Sequence, residues 1–79
     1  MNTYDIHSRG VESSFEPLSV YADSIEQAAT LVTQDHWGQN VTARRVTGAD
    51  GLSGVFQSFE PVSTTSSTSI GGQFHVMEH

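Results

Sequence analysis

Val20-Tyr21-Ala22-Asp23-Ser24-Ile25-Glu26-Gln27-Ala28-Ala29-Thr30-Leu31-Val32 changes its apolar period partway along, and that change sets the fold. Up to Ala22 the side chains alternate as in a strand, placing Leu18, Val20 and Ala22 on one face. From Ile25 onward the apolar positions are Ile25, Ala28, Ala29 and Val32, the i, i+3, i+4, i+7 spacing of one helix face. At the junction, Asp23 with Glu26, or Ser24 with Gln27, can close a capping box over the free amides of the first turn. A helix is expected from Ser24 to about Asp35. His36, Trp37 and Gly38 end it, because glycine accepts the left-handed conformation common at helix exits.

Upstream, Tyr4 and Ile6 alternate with Asp5 and His7, a half-buried strand ending near Arg9 and Gly10. Glu12, Ser13 and Ser14 make a turn into a second extended stretch, Phe15 to Ala22. There Pro17, which lacks an amide hydrogen, suits an edge or an irregular start. These two segments can form a hairpin. Downstream, Val41 to Thr47 and Leu52 to Glu60 form another, joined by a turn through Gly48, Ala49, Asp50 and Gly51. Val62 to Ser69 is almost all Ser and Thr and reads as a flexible loop. After Gly71 and Gly72, Phe74 and Val76 alternate with His75 and Met77 in a closing strand, Gln73 to Glu78.

The order ββαβββ gives a single α+β domain over residues 1–79, with one five-stranded antiparallel sheet and one helix packed on one face. Its expected core joins Ile25, Ala28, Ala29 and Val32 to Ile6, Val20, Val41, Val55, Phe74 and Val76. The strand order stays open. One helix leaves the other sheet face uncovered, with Tyr21, Phe56 and Met77 expected there, and an uncovered apolar patch marks an interface.

Charge narrows the function. The chain has no lysine, and Arg9, Arg44 and Arg45 stand against nine Asp and Glu, for a formal net charge of -6. Phosphate neutralisation needs several cations on one face, so direct nucleic-acid binding is not expected and the favoured partner is a basic protein surface. With no cysteine there is neither a disulfide framework nor a thiolate zinc site, which makes a reducing, cytoplasmic setting the default. No apolar run is long enough to span a bilayer, and Met1 to Gly10 lacks the layout of a signal peptide.

No catalytic signature is present. No serine sits in a nucleophile elbow, and Gly71 and Gly72 lack the lysine and following helix of a phosphate loop. Glu60 and Glu78 are not placed in a cleft by anything in the sequence. The four histidines have no metal-ligand spacing, although His7 approaches His75 or His79 if the first and last strands are neighbours. Neither an enzyme nor a cofactor or metal site is expected. Arg44 and Arg45, adjacent on a strand, point to opposite faces, and one of them is expected to pair with a carboxylate. The remaining carboxylates are nearly unopposed, and such a surface can compete with nucleic acid for a basic groove. The expected contacts are Asp35, Asp50 and Glu60, with an aromatic anchor among Trp37, Tyr21 and Phe56. Trp37 at a helix end equally suits a lid on the core.

The run from Val20 to Ala28, followed by Val41-Thr42-Ala43-Arg44-Arg45-Val46 and Gly51-Leu52, resembles small phage-encoded anti-CRISPR proteins, in particular inhibitors of type I-F systems. The resemblance implies a five-stranded antiparallel sheet with one helix. It also implies a stoichiometric, non-enzymatic inhibitor that binds a CRISPR RNA-guided surveillance complex in the host bacterial cytoplasm and blocks target DNA hybridisation. Such proteins use lysines at their contact surface. This chain has none, so its acidic surface would have to make the contacts. A different class stands beside this one: a self-associating structural or accessory module that forms a homodimer through the uncovered sheet face.

Overall fold

The two period changes in the sequence lay the chain out as β1 (Asn2–Ser8), β2 (Leu18–Ala22), α1 (Ile25–Trp37), β3 (Thr42–Thr47), β4 (Ser53–Pro61) and β5 (Ser67–Glu78). This is a computed structural model that describes residues 1–8, 18–47 and 53–79. The expected turns around Gly10 and Gly48, and the expected strand residues Phe15, Pro17 and Leu52, lie outside the described residues. The strands form one five-stranded sheet in the order β2-β1-β5-β4-β3, and every neighbouring pair is antiparallel. The architecture is the expected ββαβββ α+β fold. Its central feature is the pairing of β1 with β5, which joins the two ends of the described chain at mid-sheet.

Local chemistry fixes both ends of α1. The Ser24 side chain accepts from the Gln27 amide at 3.1 Å, and the Gln27 side chain reaches back to the Asp23 amide. This is the Ser24/Gln27 version of the capping box, with the return bond displaced by one residue. At the exit, Gly38 has φ 121 and donates to the Gln34 carbonyl at 2.9 Å. That φ is open to glycine at little cost, although its ψ of 169 takes it away from the left-handed helical conformation expected.

The helix buries Ile25, Ala28, Ala29 and Val32 as its spacing requires, against Tyr4, Ile6, Ala22, Phe56, Phe74 and Val76. Val20, Ala43 and Trp37 pack partly buried at the margin. Two polar residues also lie inside. Thr33 and Ser58, both 0% exposed, hydrogen-bond through their hydroxyls at 3.0 Å and tie the middle of α1 to β4.

The phase of β4 is opposite to the one expected. Val55 and Phe56 are adjacent and both apolar, so alternation alone does not say which of them faces the helix. The structure turns in Phe56, which is 2% exposed and stacks with Phe74 at 6.1 Å between ring centroids. The larger ring removes more apolar surface from water, which favours this choice. Val55 therefore lies on the other face, opposite His75 on β5, where it is buried as expected, at 7% exposure, but outside the cluster under the helix. Gly54 shares the helix side, where a Cβ would stand 3.2 Å from Arg45 Cζ and 3.3 Å from the Phe56 ring.

The Ser/Thr stretch also differs from its expected loop. Only residues 62–66 make the turn, because Ser67, Thr68 and Ser69 already pair with Pro61, Glu60 and Phe59. The Gly71-Gly72 bend lies inside a continuous β5, where the register shifts between Phe56 and Ser58. Gly71 has φ 71, and Gln57 Nε2 donates to the carbonyls of Ile70 and Gly71 at 3.1 and 3.0 Å. The side chain thus satisfies backbone acceptors that the bulge takes out of the ladder.

Candidate interaction surfaces

The sheet has two unlike faces. On the helix side, Asp23, Glu26 and Asp35 are exposed on or beside α1. Glu60 is two residues from the buried Ser58, and Glu78 two from the buried Val76, so strand alternation directs both to this same side, where they are exposed. The one cation placed among them in the described residues is Arg45, whose guanidinium donates to Glu26 Oε1 at 2.9 Å and to the Ser53 carbonyl at 3.1 Å. It also lies over the Phe56 ring, 5.1 Å from the centroid. This is the expected pairing of one arginine with a carboxylate. The Arg45 hydrogen bond holds the Glu26 carboxyl below its ordinary value.

Leu31 is a large apolar side chain left 42% exposed on α1, with Gln27 and Asp35 one turn before and after it. The sequence offered a signal for it: Leu31 falls off the 25, 28, 29, 32 face and is the large apolar residue on the outward face of the helix.

On the opposite face, among the described residues, cross-strand rows mix apolar and polar side chains. Met77 lies between Asp5 and Ser53, and Val55 between His75 and Thr47. His7 and His75 are directly opposed, as the neighbouring of first and last strands required. His79 is tied to β1 twice, by its amide to the Thr3 carbonyl at 2.8 Å and by ring Nδ1 to Asp5 Oδ2 at 3.0 Å. The His79 bond, followed by one from the Ser19 hydroxyl, lowers the Asp5 pKa, and Asp5 in turn raises that of His79. Among the described residues, no three His, Asp or Glu side chains gather in a way that could hold a metal ion. No described helix is long and apolar enough to cross a membrane.

The expected contact residues do not form one surface. Asp35 and Glu60 share the helix side. Tyr21, 70% exposed, follows the inward Val20 and so belongs to the opposite face. Phe56 is a core residue and offers no surface to a partner, which corrects its expected place on the uncovered face. Trp37 is half-buried against the core, edge-on to His36 at 4.6 Å, and its buried indole N–H has no hydrogen-bond partner. It closes the core at the helix end. Asp50 lies outside the described residues.

Arg44, on the face opposite Arg45, has its guanidinium over the Phe59 ring, 4.7 Å from the centroid. It borders a concavity of about 520 Å³ between the start of β3 and the β4–β5 turn. Sequence reading placed Arg44 on its face but missed the concavity, since its lining joins β3 to the β4–β5 turn, residues far apart in the chain. No protein-family model matches the chain, and no curated protein is significantly similar to it in sequence.

Proposed function

We propose that this chain is a non-enzymatic protein that binds another protein, and that it acts as an inhibitor of the anti-CRISPR kind by setting its acidic helix side into a basic nucleic-acid channel. The observation that carries this reading is the segregation of charge. Among the described residues, Asp23, Glu26, Asp35, Glu60 and Glu78 collect on the helix side with Arg45 as their counter-charge, while Asp5 and Arg44 stand on the other. A one-signed surface speeds encounter with a basic groove and fixes orientation more than it adds raw affinity. Leu31, exposed on the same helix, offers an apolar anchor beside these charges. The resemblance of the Val20–Ala28 and Val41–Val46 segments to anti-CRISPR proteins gives the reading its concrete partner, a type I surveillance complex.

The test is co-elution of the tagged protein with purified type I surveillance complexes, with target DNA binding read in parallel. Association with loss of DNA binding is expected, weakened at least about tenfold by Asp35→Asn together with Glu60→Gln and little changed by Tyr21→Ala. Binding that ignores the acidic pair and depends on Tyr21 would refute the helix-side assignment. A chain that associates with no complex and forms a concentration-dependent dimer would replace the inhibitor reading with self-association.

A further inference from the structure

Arg44 is an outlier in a chain of net charge -6. Among the described residues it has no carboxylate partner. Its contacts are the Phe59 ring and one long bond, Nη2 to the Ser67 hydroxyl at 3.4 Å. The concavity beside it takes one wall from β3 and the other from the β4–β5 turn, and no described carboxylate lines it. Glu60, the nearest acid along β4, alternates to the other face. The turn is held by its own hydrogen bonds, with Ser63 Oγ accepting from the Thr65 and Ser66 amides at 3.3 and 3.1 Å. Thr64 and Thr65, both hydroxyl-bearing, also line the hollow.

We infer that this concavity is a binding site for a phosphate monoester. A guanidinium backed by an aromatic ring presents a fixed fork of donors on one wall, and hydroxyls on the opposite wall add donors from a second direction. A tetrahedral oxyanion accepts from both walls at once, whereas a planar carboxylate is satisfied by the fork alone. The hollow exceeds what a bare phosphate fills and falls within the range of small-molecule sites, so the phosphate is carried on a larger body. Phe59 and Pro61 provide apolar surface for that body. The site is on the face opposite the acidic helix side and does not rest on the inhibitor reading.

The experiment is an NMR titration of the whole chain at constant ionic strength with phenyl phosphate, inorganic phosphate and benzoate. Saturable shifts are expected at the Arg44 Nε–H and at the amides of residues 63–67, tighter for phenyl phosphate than for inorganic phosphate and weakest for benzoate. Arg44→Gln should weaken phenyl phosphate at least about tenfold, and Arg44→Lys, which keeps the charge and loses the fork, by a smaller factor. Arg44 is exposed, so an unchanged amide spectrum elsewhere checks the fold of each variant. Shifts that never saturate, that persist in Arg44→Gln, or that benzoate produces as tightly as phenyl phosphate would overturn the assignment.

Discussion

Replacing Thr33 with Val keeps the shape of the side chain and removes its hydroxyl, leaving the Ser58 hydroxyl buried without its partner. Both residues are 0% exposed and their oxygens are 3.0 Å apart, so water does not replace the lost bond without opening the core. A buried hydroxyl stripped of its partner costs about 1–3 kcal/mol, and Ser58→Ala leaves Thr33 in the same position. Removing both hydroxyls leaves no orphan, so the double variant should lose no more than about 1 kcal/mol. A coupling of at least about 1 kcal/mol is therefore expected between the two sites. For a domain of this size, each single variant should melt several degrees lower, at about 4–8 °C per kcal/mol. Urea unfolding followed by circular dichroism and Trp37 fluorescence measures all four proteins of the cycle. If the single effects add to the double within about 0.5 kcal/mol, the hydroxyls do not depend on one another and the reasoning fails. The pair joins α1 to β4 beside the apolar face formed by Ile25, Ala28, Ala29 and Val32.

Phe56→Ala should cost about 3–5 kcal/mol, enough to unfold much of a small domain, whereas Tyr21→Ala at a 70% exposed position should change stability by no more than about 0.5 kcal/mol; comparable urea midpoints for the two would overturn the phase assigned to β4. Arg45→Ala should destabilise more than Glu26→Gln, because it removes the bond to the Ser53 carbonyl and the packing over Phe56 as well as an exposed ion pair worth at most about 1 kcal/mol; equal losses would reduce Arg45 to its charge. The Asp5–His79 contact has a defined pH window. Asp5 is lowered from 3.8, so its contribution is present above that value and fades as pH falls through the lowered folded pKa; His79 is raised from 6.5, so its contribution is full below 6.5 and lost as pH rises through the raised one. Both are charged between those limits, and in an NMR titration Asp5→Asn should bring the His79 ring back down toward 6.5; an unmoved midpoint would show that the contact does not exist in solution.

The segments with one clear period were legible in the sequence. Ile25, Ala28, Ala29 and Val32 leave a single buried face, Ser24 and Gln27 supply a cap, and Tyr4 and Ile6 leave a single inward side, so local physics alone decides these elements. The unopposed carboxylates were equally plain from composition. Other features depended on partners remote in sequence. Val55 and Phe56 compete for one inward position, and the stacking partner that favours Phe56 is Phe74 on another strand. The Gly71-Gly72 step reads as a break in isolation and is a bulge once Gln57 caps its carbonyls. Thr33 and Ser58 look like surface residues until each is seen to satisfy the other.

The candidate surfaces divide in the same way. Sequence alone determined that the chain is acidic, that Arg44 and Arg45 face apart, and that a helix and five strands form, because these follow from charge count and from periods two and 3.6. Tertiary structure decided the strand order, the sorting of carboxylates to the helix side and the hollow beside Arg44. Each of these needs β1 beside β5, or β4 between β3 and β5. Such pairings are contacts between distant residues, selected by which faces bury together, and no local pattern encodes them.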